Sequence, residues 1–106
     1  MELASRLTER AFADRRRRDW EELDELTRKA TARRVTKLAA DDVARLPPLY
    51  RDVCADLAAA EAARYSAPLV AYLRGLTAGA HTILYGPTAR QTGERRPSLR
   101  AAWLVA

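Results

Sequence analysis

One cysteine, one histidine, four glycines and one phenylalanine occur among the 106 residues of this chain. A single cysteine excludes an internal disulfide and suits a reducing compartment. A single histidine, with no ExxH or CxxC pattern beside it, argues against a zinc or di-iron site. Few glycines and only 7% aromatic residues speak against a sheet joined by many tight turns. No stretch approaches the roughly 20 apolar residues of a membrane span. The N-terminal run MELASRLTERAFADRRRR is charged and contains no apolar core resembling that of a signal peptide. No internal repeat with a period of about 20–50 residues is visible.

Apolar residues, at 48%, and charged residues, at 31%, are both plentiful, which is the composition of one globular domain. The net charge is +5, carried by 17 arginines and only 2 lysines against 14 acidic residues. A positive balance suits an acidic protein partner, nucleic acid or an anionic membrane, and selects none of them. Solvated arginine and lysine do similar work, so the excess of arginine reads as the base composition of a GC-rich gene.

Periodicity predicts three amphipathic helices. The first spans about 3–33, with Phe12, Trp20, Leu23, Leu26 and Ala30 on one stripe. Glu21, Glu22, Asp24 and Glu25 precede Arg28 and Lys29 at spacings that support an exposed helical face. Leu3, Leu7 and Ala11 lie on a different face, so the first ten residues pack elsewhere or fray. The second helix begins near Ala40–Asp41, where Asp41 and Asp42 suit the positive helix end. Its stripe is Leu46, Leu49, Tyr50, Val53, Leu57 and Ala60. Pro47-Pro48 interrupts it, which predicts either a kink or a short turn over 41–46 followed by a main helix over 47–64; the second is favoured. Ser66-Ala67-Pro68 is a cap followed by a first-turn proline. The third helix runs from there to about Tyr85, with Leu69, Tyr72, Leu73, Leu76, Ala80, Ile83 and Leu84 on its stripe, and stops at Gly86-Pro87. Gly75 and Gly79 lie together on its flank, where a neighbouring helix could approach closely. The fold class is therefore all-α: a three-helix antiparallel bundle with a long first helix and a short C-terminal segment. The domain covers 1–86, a polar basic linker covers 87–97, and SLRAAWLVA at 98–106 reads as the start of a further helix cut from a longer protein.

No catalytic, cofactor-binding or metal-binding constellation emerges. The run Arg15–Arg18 steps around a helix by 100° per residue and forms no single face for phosphates. Arg16 lies one turn from both Phe12 and Trp20, toward the apolar stripe. A buried guanidinium needs a carboxylate, and Asp56 on the second helix is the candidate; the alternative is that Arg16 extends to water over Trp20. Cys54 beside Val53 reads as a small core residue, His81 as a flank residue, and the four tyrosines as core-edge residues.

The motifs LYRDVCADLA at 49–58, PLVAYL at 68–73 and HTILYG at 81–86, with Phe12 and DWEEL at 19–23, occur in an order and spacing that resemble the N-terminal cytosolic region of the stage II sporulation protein M family. The similarity covers most of residues 10–86. It implies a domain on the cytoplasmic face of a bacterial multi-pass membrane protein that scaffolds cell-envelope remodelling and is not itself a hydrolase. Full-length relatives continue into transmembrane helices. The linker would then approach the membrane, with Arg90, Arg95, Arg96 and Arg100 on the cytoplasmic side and Trp103 at the interface. Pro47-Pro48 and the missing membrane region depart from the family's pattern.

The leading expectation is a non-catalytic interaction domain that binds a protein partner or a second copy through the long first helix. A helix of ~30 residues spans ~45 Å, more than the other two can cover. The alternative is a small, basic, nucleic-acid-binding helical protein. No cofactor is implied.

Overall fold

Three apolar stripes, each too narrow to be buried by its own helix, close on one another in the computed structural model, which describes residues 2–32 and 38–86. Helix α1 (Glu2–Ala32) is followed by α2 (Ala40–Ala62) and α3 (Ala67–Tyr85). The buried set matches the periodicity closely: Phe12, Trp20, Leu23, Leu26 and Ala30 from α1, Leu46, Leu49, Val53 and Ala60 from α2, and Leu73, Leu76, Ala80 and Ile83 from α3. Leu23, Leu49, Val53 and Leu73 lose all contact with water. Burying a side chain of that size is worth about 1.5–3 kcal/mol. Leu57, Leu69 and Leu84 pack against this core from its rim, whereas Tyr72 is half exposed and Thr77 takes a buried place instead. Thr77 donates its hydroxyl hydrogen to the Arg74 carbonyl one turn back, at 3.0 Å, so the apolar interior holds no unmet donor there.

The side-chain pairs fix the helix directions. Arg16 meets Asp56, Arg45 meets Glu22 and Lys29 meets Asp42, so α1 and α2 run antiparallel. Tyr50 meets Tyr85 and Arg74 meets Glu61, so α2 and α3 also run antiparallel. Glu9 then reaches Ser66 and Trp20 reaches Tyr72, placing α3 parallel to α1. Gly79 serves the close approach expected of it: a Cβ there would stand 3.3 Å from Thr27 Cγ2 of α1. Gly75 does not, since nothing lies within 4 Å of the corresponding position.

The favoured reading of α2 needs correcting. Helix α2 is continuous from Ala40 to Ala62, with Pro47 and Pro48 inside it. Two consecutive prolines remove the amide donors that would bond the Val43 and Ala44 carbonyls. Both of those residues are exposed, so water can take the donors' place. Leu46 and Leu49, buried on either side of the pair, hold the helix against the core through the interruption.

The turn after α2 ends it cleanly. The Tyr65 amide donates to the Ala60 carbonyl at 3.0 Å and the Arg64 amide to the Glu61 carbonyl at 3.1 Å, the two bonds of a Schellman cap. Such a cap places its middle residue in the left-handed region, and Arg64 adopts φ 59°. At the start of α3, Ser66 caps with its backbone while its hydroxyl turns to α1.

Residues 87–106 lie outside the described residues, and with them the linker and the segment 98–106. Restoring a donor at one of the two helix-interior prolines should stabilise α2. Pro48→Ala is expected to raise unfolding stability by about 1–2 kcal/mol. That is the ~3 kcal/mol helix penalty of proline less the chain entropy that proline removes from the unfolded state. Urea unfolding followed by far-UV circular dichroism reads it directly.

Candidate functional site

The charged residues that enter the bundle gather where α1 crosses α2. Asp56 comes from the buried face of α2, one turn after Val53. Its Oδ2 accepts two hydrogen bonds from α1, one from Arg16 Nε at 2.8 Å and one from Trp20 Nε1 at 2.8 Å. The candidate pair of Arg16 with Asp56 is thus formed, in place of the slightly favoured extension of Arg16 over Trp20 to water. Arg16 Nη1 also donates to Asp19 Oδ2 at 2.8 Å. Asp19 Oδ1 lies 3.8 Å from Arg45 Nη2, and Arg45 holds Glu22 through two bonds of 2.9 and 3.1 Å. The result is one chain of alternating charge, Asp56–Arg16–Asp19–Arg45–Glu22, stitched along the seam between α1 and α2.

Partial burial acts on Arg16 first and lowers its proton affinity. Hydrogen bonds and the charges of Asp56 and Asp19 outweigh that, and its pKa ends above the usual guanidinium value. Arg45 is raised as well, chiefly by its bonds to Glu22. Neither arginine loses its charge at any ordinary pH. Each of the three carboxylates in the ionic chain accepts from a guanidinium, and the chain ties α1 to α2.

A second cluster sits toward the far end of α3. The rings of Tyr50, His81 and Tyr85 meet pairwise at centroid distances of 6.3, 6.2 and 5.1 Å. Burial, then the Cys54 thiol, push the Tyr50 hydroxyl up to about 12 from its ordinary 10. Cys54 is only half buried, and His81 is exposed. On α3's other side, burial and then the charges of Asp24 and Glu21 raise Tyr72.

Glu9 was not singled out by its sequence context. Its carboxylate accepts from the Ser66 amide at 2.9 Å and from the Ser66 hydroxyl at 2.6 Å, which seats a negative charge on the N-terminus of α3. The basic run of α1 is partly spent within the domain. Arg15 lies 6.0 Å from the Phe12 ring centre, Arg16 points inward, and Arg17 donates to Asp14 at 2.9 Å. Of the membrane-facing candidates, Arg90, Arg95, Arg96, Arg100 and Trp103 lie outside the described residues. Among the described residues no group of three or more His, Cys, Asp or Glu side chains could hold a metal ion, and no helix is long and apolar enough to cross a membrane.

Comparison with known proteins gives one family. The profile of DUF8413, a domain of unknown function, matches residues 10–86, and the chain belongs to that family. No curated protein and no solved structure matches it. The matched span begins within α1, just past Glu9, and ends at the residue that closes α3.

Two measurements probe these clusters. Asp56→Ala strands the Arg16 and Trp20 donors together and should cost about 2–4 kcal/mol, somewhat under the loss for a fully buried pair because Arg16 keeps some water contact; urea unfolding reports it. Tyr50 keeps its proton more tightly folded than unfolded, so its contribution is intact below about pH 10 and is lost as pH rises toward about 12. Over that window the stability of Tyr50→Phe should fall less steeply with pH than that of the unaltered protein, and the 295 nm titration of the variant should lack a late-ionising tyrosine.

Proposed function

We propose that this DUF8413 domain is a non-catalytic interaction module, which serves on the cytosolic side of a bacterial membrane protein and scaffolds work on the cell envelope. The observation that supports it is the free end of α1. Glu9 contacts the first residue of α3, so the turns before Glu9 run past the connection between α2 and α3. On them Leu3 is 67% exposed and Leu7 60% exposed. They stand one turn apart, a ladder that a partner helix can cover. The charged side chains along the α1–α2 seam, Asp56, Arg16, Asp19, Arg45 and Glu22, are meanwhile committed to one another.

The envelope setting rests on the resemblance of the motifs at 19–23, 49–58, 68–73 and 81–86 to stage II sporulation protein M. A second copy of the chain is the partner proposed for the α1 end. The nucleic-acid alternative is favoured less, because Arg16 and Arg17 spend their charge on Asp56, Asp19 and Asp14.

Sedimentation velocity tests the interaction. The domain should be dimeric at tens of micromolar, and Leu3→Glu with Leu7→Glu should weaken the dimer at least tenfold while helicity stays the same. A monomer at all concentrations up to about 1 mM would remove the self-association. In cells, the full-length gene product should fractionate with membranes, and recovery in the soluble fraction would remove the envelope role.

A further inference from the structure

Beside the start of α3 lies an open cleft of about 630 Å³ whose walls carry Arg6 and Arg10 from α1 and Arg64 from the turn after α2, with Glu9, Tyr65 and Ser66 between them. We propose that this cleft binds a phosphate group, gripped by Arg10 and Arg64.

Arg10 and Arg64 line the cleft from two sides, and the one carboxylate between them is already engaged: Glu9 accepts both the amide and the hydroxyl of Ser66. The helix end is therefore occupied and is not the binding group. The arginine forks are, since planar paired donors match the oxygens of a phosphate. Arg10 and Arg64 are both exposed, and neither has an ion pair among the described residues. Their charge is thus uncommitted, unlike that of Arg16, Arg17, Arg28 and Arg45.

Arg64 carries a second mark. It holds φ 59° at the Schellman position, where glycine is the residue free of steric conflict. A bulky side chain at such a place runs against local preference, and here it lines the cleft across from α1. The phosphate could belong to a free phosphate compound or to a lipid headgroup.

The strained turn supplies a clean experiment. Arg64→Gly removes the guanidinium and relaxes the backbone, so the variant should melt at or above the temperature of the unaltered protein. Any loss of binding then cannot be ascribed to unfolding. Arg10→Gln, on an exposed helical face, is the second variant. Titration of inorganic phosphate into ¹⁵N-labelled protein, with chloride at matched ionic strength as control, should give saturable shifts confined to Arg6–Arg10 and Arg64–Ser66. Each variant should weaken them at least fivefold. Co-sedimentation with vesicles of phosphatidylglycerol, against vesicles of phosphatidylcholine, separates the sources. Retention on the anionic vesicles that both variants lose assigns a headgroup, whereas phosphate binding without retention assigns a free compound. The proposal is overturned if phosphate shifts the amides no more than chloride does and neither vesicle retains the protein. It is overturned equally if either variant binds within twofold of the unaltered protein.

Discussion

Everything in this bundle is arranged around covering one stripe of α1. From Phe12 to Ala30 that stripe is apolar along about five turns, and a single neighbour cannot bury it. Helices α2 and α3 cover it from two sides, and their own stripes meet each other behind it. The register follows. Ser66 has to stand at Glu9 for α3 to reach along the stripe, and Asp42 has to stand near Lys29 for α2 to come back down it. The ionic chain from Asp56 to Glu22 runs on the same seam and locks the register that the apolar contacts set.

That chain shows how a small core accommodates charge. Asp56 is buried, and an isolated carboxylate there would be expensive. It is tolerated because one oxygen takes two donors from α1, and because Arg16 is anchored in turn by Asp19. The indole N–H of Trp20 gains by the same contact, since a buried tryptophan needs an acceptor for its one donor. Ion pairs on the outer faces, such as Arg28 with Asp24, hold two flexible side chains in water and add little.

Much of the architecture is legible in the residue pattern, and the limits are instructive. Phe12, Trp20, Leu23, Leu49, Leu73 and Ile83 declare themselves by spacing, because burial of a helical stripe is a periodic property. Arg16 and Asp56 are legible only in part, since the pattern names them as a candidate pair but fits extension of Arg16 to water over Trp20 slightly better. The second donor to Asp56 is not, because the spacing of Trp20 shows that it is buried but not where its N–H points. Pro47-Pro48 misleads, as local preference favours a break and the burial of Leu46 and Leu49 on either side overrides it. Glu9 and the cleft beside it are invisible in the sequence. They depend on a turn 57 residues away meeting α1, and nothing local in either segment announces the meeting. The proposed setting at an envelope rests on motif resemblance and the proposed partner on the exposed Leu3 and Leu7 of α1, since fold alone does not specify function.

One property follows from the direction of the helices. Because α1 and α3 are parallel, the free end of α1 and the closing residue Gly86 sit at opposite ends of the long axis, about 28 Å or more apart over the 19 residues of α3. A pull applied between these two points would run along the helices and load their shared faces in shear. Many apolar contacts would then have to yield together, instead of peeling one turn at a time.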